Sequence, residues 1–345
     1  MRMIRRQYLP VIFNKSFVIA VFGLGVTLVF SLKYGLLPWK RLYMARKPIR
    51  YDDQCNSSIY DTKNGVYLDY SPIQKYLDVL FPTSISEPGP GKLTPVFVTG
   101  TSSNHFRESM QMLDNFRHTV RKVIPGAKLI FYNLGLTAKE VQLLKSMCDL
   151  EMRDFPFEKY PDHVKLLYGY AFKPIAIQTV LNEHPLVLWL DSSVRFTQNN
   201  LVELFDDANR LDLICTGGDG TVAGRTLAST FWYFNIEPCA FRSLPEIQGG
   251  FVIFKRTEFI ENKIVKPWVA CGLTMGCMMP DTTPRKYLSC ERNVYVYADC
   301  HRFDQSVLAI LLYTTYGTRL EQHKRSFYGP YYIRCTIGCT WDGDV

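Results

Sequence analysis

The chain has 345 residues, 47% of them hydrophobic, which is enough apolar sequence to bury a large core and excludes a disordered or fibrous protein. Its formal charge of +8 is concentrated at one end, because residues 1–50 carry ten Lys or Arg and no acidic residue. The rest of the chain has 30 basic and 32 acidic residues, so its net charge is −2 and no nucleic-acid partner is expected.

An uncharged apolar stretch, residues 16–32, lies inside this basic arm. Extended to residue 37, it reaches the length of a transmembrane helix, with Lys33 directed towards the membrane surface. The residues after it form no small-residue cleavage site, which favours a retained signal anchor over a cleaved signal peptide. We therefore expect a cytoplasmic tail over residues 1–15 and a single membrane span over residues 16–37.

Two features of the chain after the span, which we call the body, predict the side of the membrane on which it lies. Basic residues flank the span on both sides and lean slightly towards a cytoplasmic body. However, a glycosylation sequon, Asn56-Ser57-Ser58, follows the span, and all ten cysteines lie beyond it. These features predict a single-pass type II protein of the Golgi or endoplasmic reticulum, with a lumenal carboxy-terminal body that contains disulfides.

Residues 38–92 are predicted to form a stem and an irregular entry segment, because they end in a run rich in Pro and Gly. Residues 93–345 are predicted to form one domain in which strands and helices alternate. The predicted strands run from Pro95 to Thr99, from Lys128 to Tyr132 and from Leu186 to Leu190, and the helices between them include one opened by a capping box, Thr137 to Glu140. This alternation predicts an α/β fold with a twisted, mainly parallel sheet flanked by helices.

Polar residues lie at the ends of these strands, at the edge where open sheets bind ligands. Thr99 ends the first strand, Thr101 lies in the polar loop after it, and Asp191 and Ser193 follow the third strand. A carboxylate at this edge is placed to hold a divalent cation and, through it, a phosphate group. The alternative is that Asp191 caps the helix predicted near residues 199–208.

A second candidate stretch is Glu246-Ile247-Gln248-Gly249-Gly250, which precedes an apolar strand. Paired glycines allow a backbone to approach a ligand closely, and Gln248 can hydrogen-bond hydroxyl groups. The alternative is a β-bulge with a solvated Glu246.

A third candidate stretch is Cys300-His301-Arg302-Phe303-Asp304-Gln305-Ser306, which leads into an apolar helix. Asp304 and Gln305 are predicted at the amino terminus of that helix, where the helix dipole favours negative charge. His301 is a candidate metal ligand or phosphate donor. The alternatives are that Asp304 is a plain helix cap and that His301 is structural, as most lone histidines are.

With these stretches in this order, the chain resembles an uncharacterised, membrane-anchored family expanded in nematodes, whose domain is similar to GT-A fold glycosyltransferases. The resemblance covers roughly residues 93–340. The matching stretches are Val96-Phe97-Val98-Thr99-Gly100, Phe172-Lys173-Pro174, Leu188-Trp189-Leu190-Asp191-Ser192-Ser193, Gln248-Gly249-Gly250-Phe251, Lys266-Pro267-Trp268 with Cys271 and Cys277, and Cys300 to Ser306.

The resemblance implies a type II membrane glycosyltransferase that moves a sugar from a uridine or guanosine diphosphate donor to a glycan, glycoprotein or glycolipid. It also implies Mn²⁺ or Mg²⁺ at an Asp-x-Asp motif, whose second Asp is replaced here by Ser193. Either His301 or Asp304 completes the metal shell, or the site works without metal. A different class remains open: a non-catalytic, carbohydrate-binding or scaffold membrane protein with a retired donor site.

By the same resemblance, each candidate residue has an implied role. Asp304 positions the sugar or acts as a base, and Lys173 lies near the donor phosphates. The predicted catalytic residues are Glu246, Gln248 and Asp304, the predicted donor-binding residues are Thr99, Thr101, Lys173, Asp191, Ser193, Gly249, Gly250 and Gln305, and the predicted metal ligands are Asp191 and His301.

The cysteines and the polar loop at residues 100–104 decide between the remaining alternatives. The pairs closest in sequence, Cys271–Cys277, Cys290–Cys300 and Cys335–Cys339, are predicted disulfides, although spacing does not determine connectivity. A zinc site is the alternative, but the sequence has no Cys-x-x-Cys pair to support one. A soluble dinucleotide-binding enzyme is disfavoured, because residues 100–104 lack the Gly-x-Gly-x-x-Gly spacing.

Overall fold

The computed structural model describes residues 49–50, 68–82, 91–147, 149–197, 201–280, 290, 296–297, 300–326 and 331–334. The predicted tail and anchor, the sequon at Asn56 and the predicted pair Cys335–Cys339 lie outside these residues. No helix in the described ranges is both long enough and apolar enough to cross a membrane. The division into tail, anchor, stem and catalytic domain stays a prediction.

Most strands belong to one mixed sheet. The strands are β1 Ile49–Arg50, β2 Val96–Thr101, β3 Leu129–Asn133, β4 Glu151–Asp154, β5 Leu186–Leu190, β6 Val194–Phe196, β7 Leu213–Thr221, β8 Pro245–Ile247, β9 Phe251–Lys255, β10 Val296–Tyr297, β11 Lys324–Arg325 and β12 Tyr332–Arg334. The main sheet has the order β11-β7-β9-β5-β2-β3-β4, with β8 beside β7, while β1 pairs with β10 and β6 with β12.

Strands β5, β2, β3 and β4 run parallel to one another, as do β11 and β7. The predicted mainly parallel sheet is therefore confirmed. Strand β9 runs antiparallel to both of its neighbours, β5 and β7. Its direction matters for the site: Leu190 pairs with Phe251, so the residues just before β9 lie beside the residues just after β5.

Helices cover both faces of the sheet, as predicted. The α-helices are α1 Gln74–Leu80, α2 Phe106–Asn115, α3 Arg121–Val123, α4 Ala138–Lys145, α5 Phe172–Leu181, α6 Leu201–Leu211, α7 Ala228–Tyr233, α8 Glu258–Ile260, α9 Lys266–Leu273 and α10 Asp304–Tyr316. Single π-helical turns, Phe116–Val120 and Glu261–Val265, join α2 to α3 and α8 to α9. Short 3-10 turns occur at Ser71–Ile73, Ser103–His105, Phe157–Lys159, Asp162–Lys165, Leu167–Gly169, Pro238–Phe241 and Gly317–His323.

Alternate residues of the central strands pack into two separate hydrophobic cores, one on each face of the sheet. Val187 and Trp189 of β5 pack with α5, α9 and α10 on one face. Leu188 and Leu190 pack with α2 and α6 on the other. Every residue of β5 is buried, as expected for a strand covered on both faces.

Two helix starts can be compared with the sequence prediction: the capping box of α4 is found, whereas the alternative role of Asp304 as a helix cap is not. Thr137 caps α4 with the predicted reciprocal capping box to Glu140. Asp304, in contrast, is the first residue of α10 and not its cap: Phe303 occupies the cap position, and no side chain caps this helix. The carboxylate of Asp304 is therefore not used for capping.

A short helix before the predicted domain boundary also contacts the body. Leu77 and Leu80 of α1 are buried in the core that contains α5. The Leu80 carbonyl accepts hydrogen bonds from the amides of Gln178 and Asn182, at 3.1 and 2.8 Å. The segment predicted as stem and entry thus includes a helix that packs against the domain.

Two of the predicted disulfides are confirmed, Cys271–Cys277 and Cys290–Cys300. Cys239 is also disulfide-bonded. Cys215 of β7 is an exception to the expectation of disulfides, because it is a free thiol buried among apolar side chains of the core.

Candidate active site

Lys173 is the centre of a buried charged cluster. It lies in the first turn of α5 and is only 2% exposed. Its ammonium nitrogen lies 3.2 Å from Asp191 Oδ1 and 2.7 Å from Asp304 Oδ2, and it donates a hydrogen bond of 3.1 Å to the Gly249 carbonyl. A lysine this deeply buried needs such counter-charges, because an unpaired ammonium would be too costly to desolvate. We call Lys173, Asp191, Asp304 and Gly249 the Lys173 cluster.

Asp191 follows β5 and has both carboxylate oxygens engaged. Oδ1 accepts a hydrogen bond of 2.9 Å from the indole of Trp189, two residues earlier, in addition to its contact with Lys173. Oδ2 lies 3.2 Å from Nη2 of Arg334. Asp191 therefore does not cap α6, which was the alternative to a functional role.

Arg334 reaches the site from β12 and contacts three of the predicted residues. Its Nε donates to Ser193 Oγ at 3.1 Å, its Nη1 donates to Gln248 Oε1 at 3.2 Å, and its Nη2 donates to Asp191 Oδ2 at 3.2 Å. One guanidinium thus joins the strand end after β5 to the segment before β9.

The glycine pair before β9 lets the backbone lie against the two carboxylates. A Cβ atom on Gly249 would lie 2.6 Å from Asp304 Oδ2, and one on Gly250 would lie 2.7 Å from Asp191 Oδ2. The Asp191 amide also donates to the Gly250 carbonyl at 2.9 Å. These glycines therefore permit close contact between the backbone and the carboxylates of Asp191 and Asp304.

The two carboxylates of the cluster differ in their electrostatic environment. Burial would raise the pKa of Asp191, but the charges of Lys173 and Arg334 outweigh burial and lower that pKa. For Asp304, burial raises the pKa and the charge of Lys173 only partly offsets it. Burial would lower the pKa of Lys173, but the charges of the two carboxylates raise it, so Lys173 stays protonated. Carboxyl groups whose pKa values are pushed apart are typical of acid–base chemistry.

Asp304 pairs with Lys173 through one carboxylate oxygen. Its Oδ2 lies 2.7 Å from the Lys173 ammonium, and no second donor among the described residues reaches this buried atom. Asp304 lines the polar pocket, so its carboxylate borders the space in which a ligand would bind.

Strained backbone flanks the cluster. Tyr170 and Phe303 have φ values of 54° and 50°, in a region that non-glycine residues rarely adopt. Their rings lie 6.1 Å apart, and the Tyr170 ring lies 5.2 Å from the Lys173 ammonium. Such strain persists only where the surroundings enforce it, as they often do at functional sites.

Two cavities meet at the Lys173 cluster. A cleft of about 520 Å³ is lined by the end of β2, including Thr101, by the loop that follows it, and by residues 191–193. A smaller, polar pocket of about 170 Å³ is lined by Gly249, Gly250, Asp304 and Gln305. Both are also lined by Tyr170, Lys173, Asp191 and Arg334, so the two cavities share one wall.

Glu246 lies behind the polar pocket and does not line it. It is buried, forms an ion pair with Arg225, and accepts a hydrogen bond of 2.7 Å from Gln305 Nε2. Gln305 Oε1 in turn accepts from the Gly249 amide at 3.3 Å. This network fixes the glycine pair against α10, and Glu246 is not the solvated residue of the β-bulge alternative.

His301 is fixed by backbone partners on both ring nitrogens. Its Nε2 lies 2.8 Å from the Met278 carbonyl and must donate to it, while Nδ1 accepts from the Leu227 amide at 3.3 Å. These contacts require the neutral ring and leave no lone pair for a metal ion. Burial accordingly lowers the pKa of His301 to about 4.

The buried neutral His301 should make the fold acid-sensitive. In the unfolded chain a histidine gains a proton below pH 6.5, which the folded protein resists down to about pH 4. Stability should therefore fall by about 3 kcal/mol between these pH values because of His301 alone. Chemical denaturation of the wild type and of His301→Asn over this range measures the effect.

The substituted protein should start less stable at neutral pH but should lose less stability on acidification. His118→Asn is the matched control, because His118 is an exposed surface residue, and it should leave the wild-type slope unchanged. Equal slopes for the wild type and His301→Asn would contradict the prediction.

The remaining predicted residues are Thr99 and Thr101. Thr101 lines the cleft, and its hydroxyl donates to the Ser102 carbonyl at 3.3 Å. Thr99 is fully buried in β2 and does not line either cavity, although its hydroxyl has no hydrogen-bond partner among the described residues. Thr99 is therefore buried in the sheet and does not contact the space inside the cleft.

The predicted Mn²⁺ or Mg²⁺ does not fit the residues present. These ions bind best to several carboxylate oxygens, but Ser193 replaces the second acidic residue of the motif, and its Oγ already accepts a hydrogen bond from Arg334. A dication on Asp191 would lie against two cationic side chains, Lys173 and Arg334. Across the described residues, no three His, Cys, Asp or Glu side chains come together as a metal-binding group.

Comparison with known protein families agrees with the predicted resemblance over part of the chain. Residues 82–178 match the family described as "Protein of unknown function (DUF1647)". The predicted resemblance to a family without an assigned activity is confirmed over these residues. No curated protein matches the chain.

The structural neighbours are GT-A glycosyltransferases. The mannosyltransferase Ktr4p from S. cerevisiae is 11% identical, with a TM-score of 0.42 over 87% of this chain and 90% of that chain. Core-mannan synthase A from Aspergillus fumigatus, in a Mn/GDP form, is 9% identical, with a TM-score of 0.41 over 87% and 94%. The WbbM bifunctional glycosyltransferase is 12% identical, with a TM-score of 0.35 over 68% of this chain and 39% of that chain. This chain thus spans about two fifths of WbbM, and such low identities carry no conclusion about its activity.

Three site residues were missed in the sequence: Tyr170, Arg225 and Arg334. For Arg334 a signal exists, because residues 331–334 include aromatic and β-branched residues, which are typical of a short strand. Tyr332 of this strand is buried and stacks on Phe251, with ring centroids 4.1 Å apart. Alternation places Arg334 on the same face, two residues further along.

Proposed function

We propose that the protein is a glycosyltransferase that moves a sugar from a nucleoside-diphosphate donor to a hydroxyl group of a glycan, glycoprotein or glycolipid. We further propose that it acts in the secretory pathway as a type II membrane protein. The observation that carries the activity is the Lys173 cluster, because it unites two carboxylates of opposite pKa shift with a buried cation where two ligand-sized cavities meet.

The two cavities suit the two parts of such a donor. The larger cleft has apolar and aromatic walls, including Leu134 and Phe172, which suit a nucleoside. The smaller pocket is polar and contains Asp304, which suits a sugar. The diphosphate then lies at the shared wall, beside Arg334.

In this arrangement the chain's own residues carry out the transfer. The bond between the anomeric carbon and the phosphate oxygen breaks, and its electron pair goes to that oxygen. The acceptor hydroxyl oxygen bonds to the anomeric carbon and passes its proton to the carboxylate of Asp304. The raised pKa of Asp304 makes it a stronger base than an ordinary carboxylate.

Replacement of Asp304 by Asn tests this proposal. The full-length protein in detergent is incubated with UDP-glucose, UDP-N-acetylglucosamine or GDP-mannose, and release of the nucleoside diphosphate is measured with and without acceptor glycans. We expect the wild type to consume one donor, and Asp304→Asn to lower the rate by about 100-fold or more, since the base is lost. The rate of the wild type should fall with pH on the acidic side, as Asp304 takes up a proton.

Donor binding separates a catalytic role of Asp304 from a structural one. Asp304→Asn removes a negative charge beside the donor, so its affinity for the donor should be retained or increased. Asp114→Asn, at an exposed site on α2, is the control and should leave the rate unchanged. Donor binding without turnover by the folded wild type would favour the non-catalytic, carbohydrate-binding alternative.

A further inference from the structure

Arg334 occupies the place between Asp191 and Ser193. Its guanidinium contacts Asp191 Oδ2 and Ser193 Oγ, at 3.2 and 3.1 Å. These are the two positions that an Asp-x-Asp motif would use for a metal ion, and the second of them is no longer acidic. We propose that Arg334 takes the role of the divalent cation at the donor diphosphate, so that donor binding needs no metal. This inference rests on the proposed function.

Arg334 has the donors that this role requires. A guanidinium carries five N–H groups, and three are directed at Ser193, Gln248 and Asp191. Among the contacts of the described residues, two N–H groups remain for phosphate oxygens, which a planar guanidinium matches in a bidentate manner. The side chain is 24% exposed and lines both cavities, so a diphosphate can reach it.

The position of Arg334 is fixed before any ligand binds. Its strand, β12, pairs with β6, and Arg334 lies opposite Val194, directly after Ser193. Tyr332 anchors the same strand by stacking on Phe251. A cation held in this way is preorganised for the charge that develops on a leaving diphosphate.

Lys173 has a different task from Arg334. The three N–H groups of its ammonium face the Gly249 carbonyl, Asp191 and Asp304, so none is left for a phosphate. Together with Arg334 it balances the two negative charges of Asp191 and Asp304, which would otherwise repel a diphosphate. In this arrangement Arg334 binds the diphosphate directly, whereas Lys173 acts indirectly by reducing the negative charge of the site.

Calorimetry on the full-length protein in detergent tests this inference with uridine, guanosine and cytidine diphosphates, each in excess chelator and in Mn²⁺. We expect one nucleotide to bind the wild type with the same Kd in both conditions, within about twofold. Arg334→Ala should weaken that binding by about tenfold or more in both conditions. Arg210→Ala, an exposed arginine of α6 paired only with nearby Asp207 in the described structure, is the matched control and should bind like the wild type.

A double variant tests the exchange of arginine for metal directly. Ser193→Asp combined with Arg334→Ala restores the second acidic residue and removes the competing cation. Binding should then recover in Mn²⁺ and be lost in chelator. Failure of the double variant to recover binding in Mn²⁺, while it remains folded, would count against the inference.

The wild-type measurement alone decides between the possible failures and does not depend on the folding of any variant. If the wild type binds a nucleotide only in Mn²⁺, the inference is overturned and the proposed function stands. If the folded wild type binds none of the three nucleotides in either condition, both the inference and the proposed function are overturned.

Discussion

Lys173→Met should abolish sugar transfer and destabilise the fold by about 3–5 kcal/mol, the usual effect of removing one partner from a buried ion pair. Methionine has a similar length but no charge, so Asp191 and Asp304 would face each other without their shared counter-ion. Transfer should fall by about 100-fold or more, because the site would lose one of its two positive charges and Asp304 would face the diphosphate without a counter-ion.

The loss of stability should depend on pH in a defined direction. Without Lys173, the buried carboxylates should bind protons more readily in the folded state than in the unfolded state, so acidification should reduce the defect. Denaturant titrations at pH 7 and pH 5 measure this change.

Lys165→Met is the control, because Lys165 forms an exposed pair with Asp162 three residues away, and it should change stability by less than about 0.5 kcal/mol. A folded Lys173→Met protein with full activity would contradict the central role of this lysine.

The parts of the fold that were predictable from the sequence are those encoded locally. The apolar runs of β2, β3 and β5 and the capping box of α4 are short patterns, and each is found at its predicted place. The direction of β9 is not local information, since its sequence reads as a buried strand in either direction. That direction brings Gly249 and Gly250 to the carboxylates.

The site was predicted where its residues follow strands, and it was missed where tertiary contacts decide. Asp191 and Arg334 meet although they are 143 residues apart in the chain, and no spacing rule joins them. The prediction of His301 as a metal ligand did not foresee that two backbone groups would occupy its ring nitrogens. Lys173 stands among apolar residues, and a lysine in such a place implies buried counter-charges.

Gly249→Ala should be the most damaging conservative change near the site. The new methyl group would lie 2.6 Å from Asp304 Oδ2, and Asp304 has little room to move because it is buried and held by Lys173. We expect a loss of stability of about 1–3 kcal/mol from this overpacking. Transfer should fall by about 100-fold, since a displacement of the base by about 1 Å is enough for such a loss.

A second glycine in the same region provides the control. A methyl group on Gly217 of β7 would meet no other part of the described chain within 4 Å, so Gly217→Ala should keep both stability and transfer close to those of the wild type. Measurement of kcat and donor Kd for both variants distinguishes the cause of any loss. Because the methyl group displaces Asp304 and not Arg334, Gly249→Ala should lower kcat more than donor affinity, whereas equal losses in both would point to a general collapse of the pocket.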